Sequence, residues 1–209
     1  MDLPLPPDSA LDHAEAEGLY GKTGMAAVLG LSLQTVSSLL ERFGLAHVHV
    51  ANDNSNSQTV IAGPSLALEQ AAQLFKEAGA RRVVPLKVSG PFHTPLMESA
   101  VKPFKAFLAS IPFHTPEGTL LSSVSGTRVD TGEQAKELLA AQLVTSVNWR
   151  AVMVETARLA SVLEIGALVE SGPGTVLTGL WATMDNGVSC LPGGTDEQLG
   201  AVAALGGVS

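Results

Sequence analysis

The sequence has a single cysteine, few positive charges and no long apolar run. Cys190 stands alone among 209 residues, so no internal disulfide can form, and we expect a reducing, cytoplasmic environment. Twelve basic against twenty acidic residues give a net charge of −8, which argues against nucleic acid as a partner because phosphate contacts need clustered cations. No apolar run approaches the roughly 18 residues of a membrane span, and the acidic start lacks the basic residues of a signal peptide. We expect a globular protein without a membrane or nucleic-acid partner.

A serine nucleophile is also missing from these residues. In a Gly-x-Ser-x-Gly elbow, the serine lies on a tight strand-to-helix turn beside an oxyanion hole. Ser32 and Ser65 have a glycine two positions before them but none two positions after. Ser89 and Ser171 lack the preceding glycine. None of these serines therefore qualifies as an activated nucleophile.

Residues 24–87 alternate between strands and helices in the manner of a small α+β unit. Apolar spacing predicts two helices, one capped by Ser32 and one starting at Pro64-Ser65. Short apolar runs predict strands at 25–31, 46–51, 58–62 and 81–86. The order β-α-β-β-α-β is that of the ferredoxin-like, split βαβ arrangement.

Residues 88–185 form a second region with a different pattern. Helices are predicted at about 96–110, 132–142, 149–163 and 175–184, and strands at 119–124 and 165–170. Two strands are too few for an α/β sheet buried on both faces, so we expect this half to be loose or adhesive by itself. Residues 1–23 are predicted to be an irregular lead-in, and 186–209 a weakly structured tail or a marginal helix.

His93 is the strongest candidate for chemistry. It lies in the segment Gly90-Pro91-Phe92-His93-Thr94-Pro95, after a predicted strand and before a predicted helix. Glycine and proline on both sides restrict the backbone and so present the imidazole at a defined place. Neutral histidine is the usual general base for a hydroxyl nucleophile. The alternative is a surface or structural histidine, as most isolated histidines are.

Three further segments carry polar or charged side chains at suggestive positions. The amide-rich residues 52–58 could bind a polar ligand or form a turn between paired strands. Residues 170–174, Glu-Ser-Gly-Pro-Gly, could let an anion or another backbone approach closely. A local basic cluster predicts either a solvated surface or a docking patch for an acidic partner, and its members are Lys76, Arg81, Arg82 and Lys87. His47 and His49 share a predicted strand face, but no acidic or cysteine ligands complete a metal site.

The order and spacing of five segments resemble the malonyl-CoA:acyl-carrier-protein transacylase family. The resemblance runs from about Gly24 to Met184 and rests on residues 24–31, 51–63, those around His93, 142–149 and 170–180. Family members have an α/β-hydrolase-like domain interrupted by a ferredoxin-like insert. The resemblance therefore implies an α/β fold with a ferredoxin-like subdomain at 24–87 and the C-terminal part of an acyltransferase domain at 88–185.

The resemblance also assigns roles to single residues. It implies that His93 is the general base and that the backbone carbonyl of Gln142 orients its imidazole. Asn54 and Gln58 correspond to polar residues of the substrate cleft. The implied substrate is malonyl-CoA, with no metal or other cofactor. The implied acceptor is acyl carrier protein, whose acidic surface would meet the basic cluster.

The chain departs from the family at several positions. The family usually has Pro-Gly at Asn56-Ser57 and asparagine at Ser123. Its serine elbow, oxyanion loop and malonyl-binding arginine belong before Gly24 and are not among these residues. We therefore expect the C-terminal part of a truncated transacylase of fatty-acid biosynthesis, inactive as a lone chain. Two alternatives stay open: a non-catalytic module that binds acyl carrier protein, and a subunit that completes the active site with a separate chain bearing the serine.

Overall fold

The computed structural model describes residues 22–205. The predicted lead-in over 1–23 lies almost wholly outside the described residues, as do the last four residues of the predicted tail. The chain divides into two units, the first ending at Val152 and the second starting at Met153. Among the described helices, none is long and apolar enough to cross a membrane.

A four-stranded sheet builds the centre of the first unit. Its strands lie in the order β2-β3-β1-β4, and they are β1 (Thr23–Leu29), β2 (His49–Ser55), β3 (Gln58–Pro64) and β4 (Arg82–Pro85). All three pairings are antiparallel. Two helices, α1 (Leu33–Arg42) and α2 (Ser65–Glu77), connect the strands. This order confirms the predicted ferredoxin-like subdomain, because β3 separates the two strands that α1 joins.

The two faces of this sheet pack against different parts of the chain. Val28 and Ile61 pack against α1 and α2, where Val36 and Phe75 are buried. The other face contacts Phe92, and its buried residues are Met25, Ala27, Ala51, Val60 and Ala62. Neighbouring residues of a strand point to opposite faces, so β1 contributes to both cores. Because Phe92 directly precedes His93, this packing holds the histidine segment against the second face.

β2 differs from its prediction. The sequence predicts a strand at 46–51, whereas β2 occupies His49–Ser55. Residues before it form turns, with the Val48 N–H donating to the Leu45 carbonyl at 3.0 Å. Residues 52–55, predicted as part of a turn, extend the strand because their backbone pairs with β3 and with a distant segment at Val147. Long-range pairing outweighs the low strand propensity of asparagine and aspartate here.

The remainder of the first unit is mainly helical. A 3₁₀ turn at Pro95–Met97 leads into α3 (Glu98–Ala109), and α4 (Gly132–Ala141) follows two short strands, β5 (Leu120–Leu121) and β6 (Arg128–Val129). The predicted strand at 119–124 is therefore only two residues long. It ends early because the chain reverses at Gly126, whose φ of 72° favours glycine and whose N–H donates to the Ser122 carbonyl at 2.8 Å.

The helix α5 (Trp149–Val162) begins in the first unit and continues into the second unit. The second unit also contains β7 (Ala167–Glu170), α6 (Val176–Trp181), β8 (Ser189–Pro192) and α7 (Asp196–Leu205). β7 and β8 pair in parallel, with α6 as the connection. The sequence pattern gives no indication of β8. The residues directly after β8 pack closely against the turn after β7: a Cβ at Gly194 would lie 2.1 Å from the Gly172 carbonyl oxygen.

Candidate functional site

The backbone at His93 adopts an unusual conformation that its neighbours hold in place. His93 has a φ of 61°, in the left-handed region that non-glycine residues seldom adopt. The next residue, Thr94, is fully buried, and its hydroxyl donates to the Pro91 carbonyl at 2.6 Å. The Thr94 carbonyl in turn accepts from the Met97 N–H at 3.0 Å. Such strained residues cluster at functional sites, where the surrounding structure over-determines them.

The imidazole of His93 is oriented by the end of α4. Its Nδ1 lies 2.8 Å from the backbone carbonyl oxygen of Gln142. Gln142 is the C-cap of α4, and a carbonyl at this position has no partner within its helix. A carbonyl only accepts, so Nδ1 carries the proton and Nε2 keeps its lone pair. The structure thus brings His93 and Gln142 together, as the resemblance implies, and the role of His93 as a base stays a prediction.

His93 borders a small, mostly apolar cleft. The cleft has a volume of about 150 Å³, and its lining residues are Phe92, His93, Phe104, Leu139, Gln142 and Leu143. His93 and Gln142 are both half-buried. The imidazole therefore lies between a backbone carbonyl and mostly apolar side chains.

The segment after Gln142 attaches to the edge of the first sheet. Val147 forms a parallel bridge with Asn52: its N–H donates to the Ala51 carbonyl at 2.9 Å, and its carbonyl accepts from the Asp53 N–H at 2.8 Å. Ser146 adds a hydroxyl bond to the Val50 carbonyl. These bonds attach residues 146 and 147, within the segment 142–149 of the resemblance, to β2.

Asp53 and Arg150 form an ion pair that the sequence analysis did not identify. Arg150 Nε lies 2.9 Å from Asp53 Oδ2. The Asp53 side chain is 8% exposed and that of Arg150 is 45% exposed. Asp53 Oδ1 has no hydrogen-bond partner in the part of the chain that the structure describes. The two residues are 97 positions apart, and no local signal in a single sequence links such a pair.

Asn54 and Gln58, the predicted cleft residues, lie at the β2–β3 hairpin. Gln58 opens β3 opposite Ser55, and Asn54 falls in an irregular step of the β2–β3 register. Both are half-buried. No hydrogen bond joins either side chain to His93 or Gln142 among residues 22–205. Their substrate-binding role stays a prediction.

The four residues of the basic cluster are exposed, but they extend from the end of α2 to beyond the end of β4. Lys76 lies in the last turn of α2, and Arg81 and Arg82 lie at the start of β4, whereas Lys87 follows the end of that strand. All four residues are exposed. Lys87 is therefore roughly 16 Å from Arg82, at about 3.3 Å per extended residue. Lys76 is separated from Arg81 and Arg82 by the short turn between α2 and β4.

The Glu170 turn has a structural role in the second unit. The Glu170 carboxylate accepts from the Thr178 N–H at 2.8 Å, the Thr178 hydroxyl at 2.7 Å and the Leu177 N–H at 3.0 Å. The hydrogen bonds from Thr178 hold the pKa of Glu170 below its ordinary value. The N-terminus of α6 is thus occupied by the protein's own carboxylate. Among the described residues, no group of three or more acidic, cysteine or histidine side chains is placed to hold a metal ion.

Known proteins resemble the chain in both sequence and fold, although no family model matches it. The polyketide biosynthesis malonyl CoA-acyl carrier protein transacylase PksC of Bacillus subtilis is 35% identical over 183 residues, which are 86% of this chain and 61% of that protein. The malonyl CoA-acyl carrier protein transacylase of Haemophilus influenzae is 36% identical over 161 residues, which are 77% of this chain and 50% of that protein.

Solved structures agree with these sequence matches. The acyl-carrier-protein-S-malonyltransferase of Bartonella henselae superimposes with a TM-score of 0.78 at 32% identity, covering 95% of this chain and 62% of that one. A complex of a type II polyketide acyl-carrier protein with its malonyl-transacylase gives a TM-score of 0.78 at 29% identity, over 94% of this chain and 63% of the other. The chain therefore spans about half to three fifths of the length of these relatives. In sequence and in fold, the chain is homologous to malonyl CoA-acyl carrier protein transacylases over about half to three fifths of their length.

Proposed function

We propose that this chain supplies the histidine base for malonyl transfer from malonyl-CoA to the phosphopantetheine thiol of acyl carrier protein. The observation that carries the proposal is the 2.8 Å contact between His93 Nδ1 and the Gln142 carbonyl, because it leaves Nε2 free to accept a proton. The name of the Bacillus subtilis relative supports polyketide biosynthesis as one setting, and the resemblance implies fatty-acid biosynthesis as the other.

The proposed reaction has two steps that use His93 in the same way. In the first, Nε2 takes the proton of a serine hydroxyl while the serine oxygen attacks the thioester carbonyl, and the imidazolium returns that proton to the departing CoA thiolate. In the second, Nε2 takes the proton of the carrier thiol as its sulfur attacks the malonyl ester, and the serine oxygen leaves with that proton. The cycle consumes malonyl-CoA and needs no metal or redox cofactor.

The serine of this reaction would come from outside the 209 residues, which contain no serine elbow. We therefore propose that these residues alone do not transfer malonyl groups and that another polypeptide segment completes the site. Exposed apolar side chains in the second unit support such a partner, since exposed apolar patches mark interaction surfaces. They include Val162, Leu163, Val169, Val176 and Leu177, and each is at least 38% exposed.

A complementation assay tests this proposal. The 209-residue chain is co-expressed with the part of the Haemophilus influenzae relative that precedes the matched region, and malonyl transfer to holo-acyl carrier protein is measured. We expect transfer only from the combination, and a loss of about 10²-fold or more with His93→Gln, the usual contribution of a general base. His114→Gln is the matched control, because His114 is exposed and outside the cleft. Transfer by the 209 residues alone, or by the His93→Gln combination at the unaltered rate, would contradict the proposal.

A non-catalytic role in binding acyl carrier protein is the second candidate. The exposed cluster of Lys76, Arg81 and Arg82 favours it, because acidic partners are steered to such patches. Titration of holo-acyl carrier protein should give a Kd that weakens about tenfold with Lys76→Glu/Arg82→Glu and weakens at high salt. Lys102→Glu/Lys105→Glu changes the net charge equally on an exposed helix and should have a smaller effect. Equal effects of the two double variants would contradict docking at the cluster.

A further inference from the structure

Gln142 is held from two sides. Its backbone carbonyl accepts from His93, and its side-chain Nε2 donates to the hydroxyl oxygen of Ser123 at 3.0 Å. Gln142 also forms part of two clefts, one containing His93 and the other containing Ser123. A single residue therefore connects the imidazole to the loop after β5.

Ser123 is itself fixed within the first unit. Its backbone carbonyl accepts from the Asn148 N–H at 2.6 Å, and the Asn148 side chain accepts from the Ala151 N–H at 3.2 Å in the first turn of α5. The adjacent Val147 is bonded to β2. The backbone of Ser123 is therefore held in place, and its hydroxyl oxygen is the acceptor that the Gln142 side chain reaches.

The end of a helix needs such an anchor. Gln142 is the C-cap directly after α4, with near-helical dihedral angles of φ −59° and ψ −26°, and residues 142–144 form a turn. Helix ends fray, and the direction of a terminal carbonyl changes with the local ψ. A side chain bonded to a fixed acceptor restrains the backbone of the same residue, and hence the carbonyl that faces Nδ1.

We propose that Ser123 is a positioning residue for His93. Through the Gln142 side chain, it holds the carbonyl that keeps the imidazole proton on Nδ1 and leaves Nε2 free. The consequence for catalysis rests on the proposed function, in which His93 is the base. The positioning itself is a property of the folded chain and can be measured without activity.

Imidazole ¹⁵N chemical shifts of the labelled 209-residue protein at pH 8 test the proposal, with His93→Gln assigning the signals. We expect the Nδ1–H tautomer to predominate in the unaltered protein. Ser123→Ala should lower the ratio of Nδ1–H to Nε2–H by about threefold or more, in line with the loss of one hydrogen bond. Ser123→Thr keeps the hydroxyl and should restore the ratio, whereas Ser125→Ala, on an exposed neighbour, should not change it.

A second variant removes the same bond from its other end. Gln142→Met keeps the backbone carbonyl but deletes the side-chain donor. It should therefore lower the ratio of the Nδ1–H to the Nε2–H tautomer as much as Ser123→Ala does, and the double variant should lower this ratio no further. If Ser123→Ala does not fold, Gln142→Met decides alone. An unchanged tautomer ratio in either folded variant, or additive shifts in the double variant, would overturn the proposal. A changed ratio without His93-dependent transfer in the complementation assay would support positioning by Ser123 and refute the proposed function.

Discussion

The ion pair between Asp53 and Arg150 offers a direct test of how the first unit is held together. Arg150→Ala removes the only charged partner of the Asp53 carboxylate among residues 22–205, which lies 2.9 Å from Oδ2. The remaining oxygen, Oδ1, is buried and already has no partner among the described residues. The variant therefore leaves a carboxylate with 8% side-chain exposure in a site without a compensating charge.

The expected cost lies between two known limits. Removing one partner of a buried ion pair costs about 3–5 kcal/mol, because an uncompensated charge stays behind. Breaking an exposed pair costs about 0–1 kcal/mol. Arg150 is 45% exposed, so water can reach Oδ2 once the guanidinium is gone. We expect Arg150→Ala to cost about 2–3 kcal/mol.

Amide hydrogen exchange is the appropriate assay, because a chain with two units need not unfold in one step. The Asp53 and Val147 amides are the reporters, since each donates across the junction between β2 and the 147 segment. Arg128→Ala is the control within the same unit. Its partner Asp130 lies at 3.0 Å, and both side chains are more than half exposed, so its cost should stay below about 1 kcal/mol.

A double variant separates the charge from the packing. Asp53→Asn/Arg150→Ala leaves no charge at residue 53, so it should be more stable than Arg150→Ala alone by about 1 kcal/mol or more. If Arg150→Ala costs no more than Arg128→Ala, or if Asp53→Asn adds to its cost, the carboxylate does not depend on Arg150 and the reasoning is refuted.

Three further outcomes are expected. The pKa of Glu170 is lowered from 4.5 in the folded protein, so the ionised carboxylate stabilises the second unit at pH values above 4.5. The urea midpoint should therefore fall as the pH drops below 4.5, and Glu170→Gln should remove this pH dependence. Burial, and to a smaller extent the charge of His47, lowers the pKa of His49 from 6.5. The free energy of unfolding should therefore decline as the pH falls below 6.5, and this decline should be smaller in His49→Gln. Gly132→Ala would place a Cβ 2.2 Å from the Phe113 carbonyl oxygen, so thermal unfolding should show a cost of about 1–3 kcal/mol, whereas Gly118→Ala, in open space, should show little.

The sequence predicted the ferredoxin-like unit because its information is local. Ser32 caps α1 with its own hydroxyl, which accepts from the Thr35 N–H at 3.1 Å, and the apolar spacing of α1 and α2 shows which faces are buried. Strand pairing then follows from the order of the elements. The family resemblance and the importance of the segment around His93 could likewise be seen in short, contiguous motifs.

Other features could not be predicted because they depend on residues far apart in the chain. The polar residues 52–55 become strand only because β3 and Val147 pair with them. β8 forms because β7 supplies a parallel neighbour. In neither case does the local sequence favour a strand, so the tertiary contact overrides propensity.

Residue types and their order in the chain therefore determined the class of fold, the identity of the candidate base and the lack of a serine elbow among these residues. Only the tertiary structure decided that the Gln142 side chain reaches Ser123 and that Asp53 and Arg150 form a pair. The physical reason is that hydrogen bonds and ion pairs act over about 3 Å. Whether two side chains 97 positions apart come that close depends on how the whole chain packs.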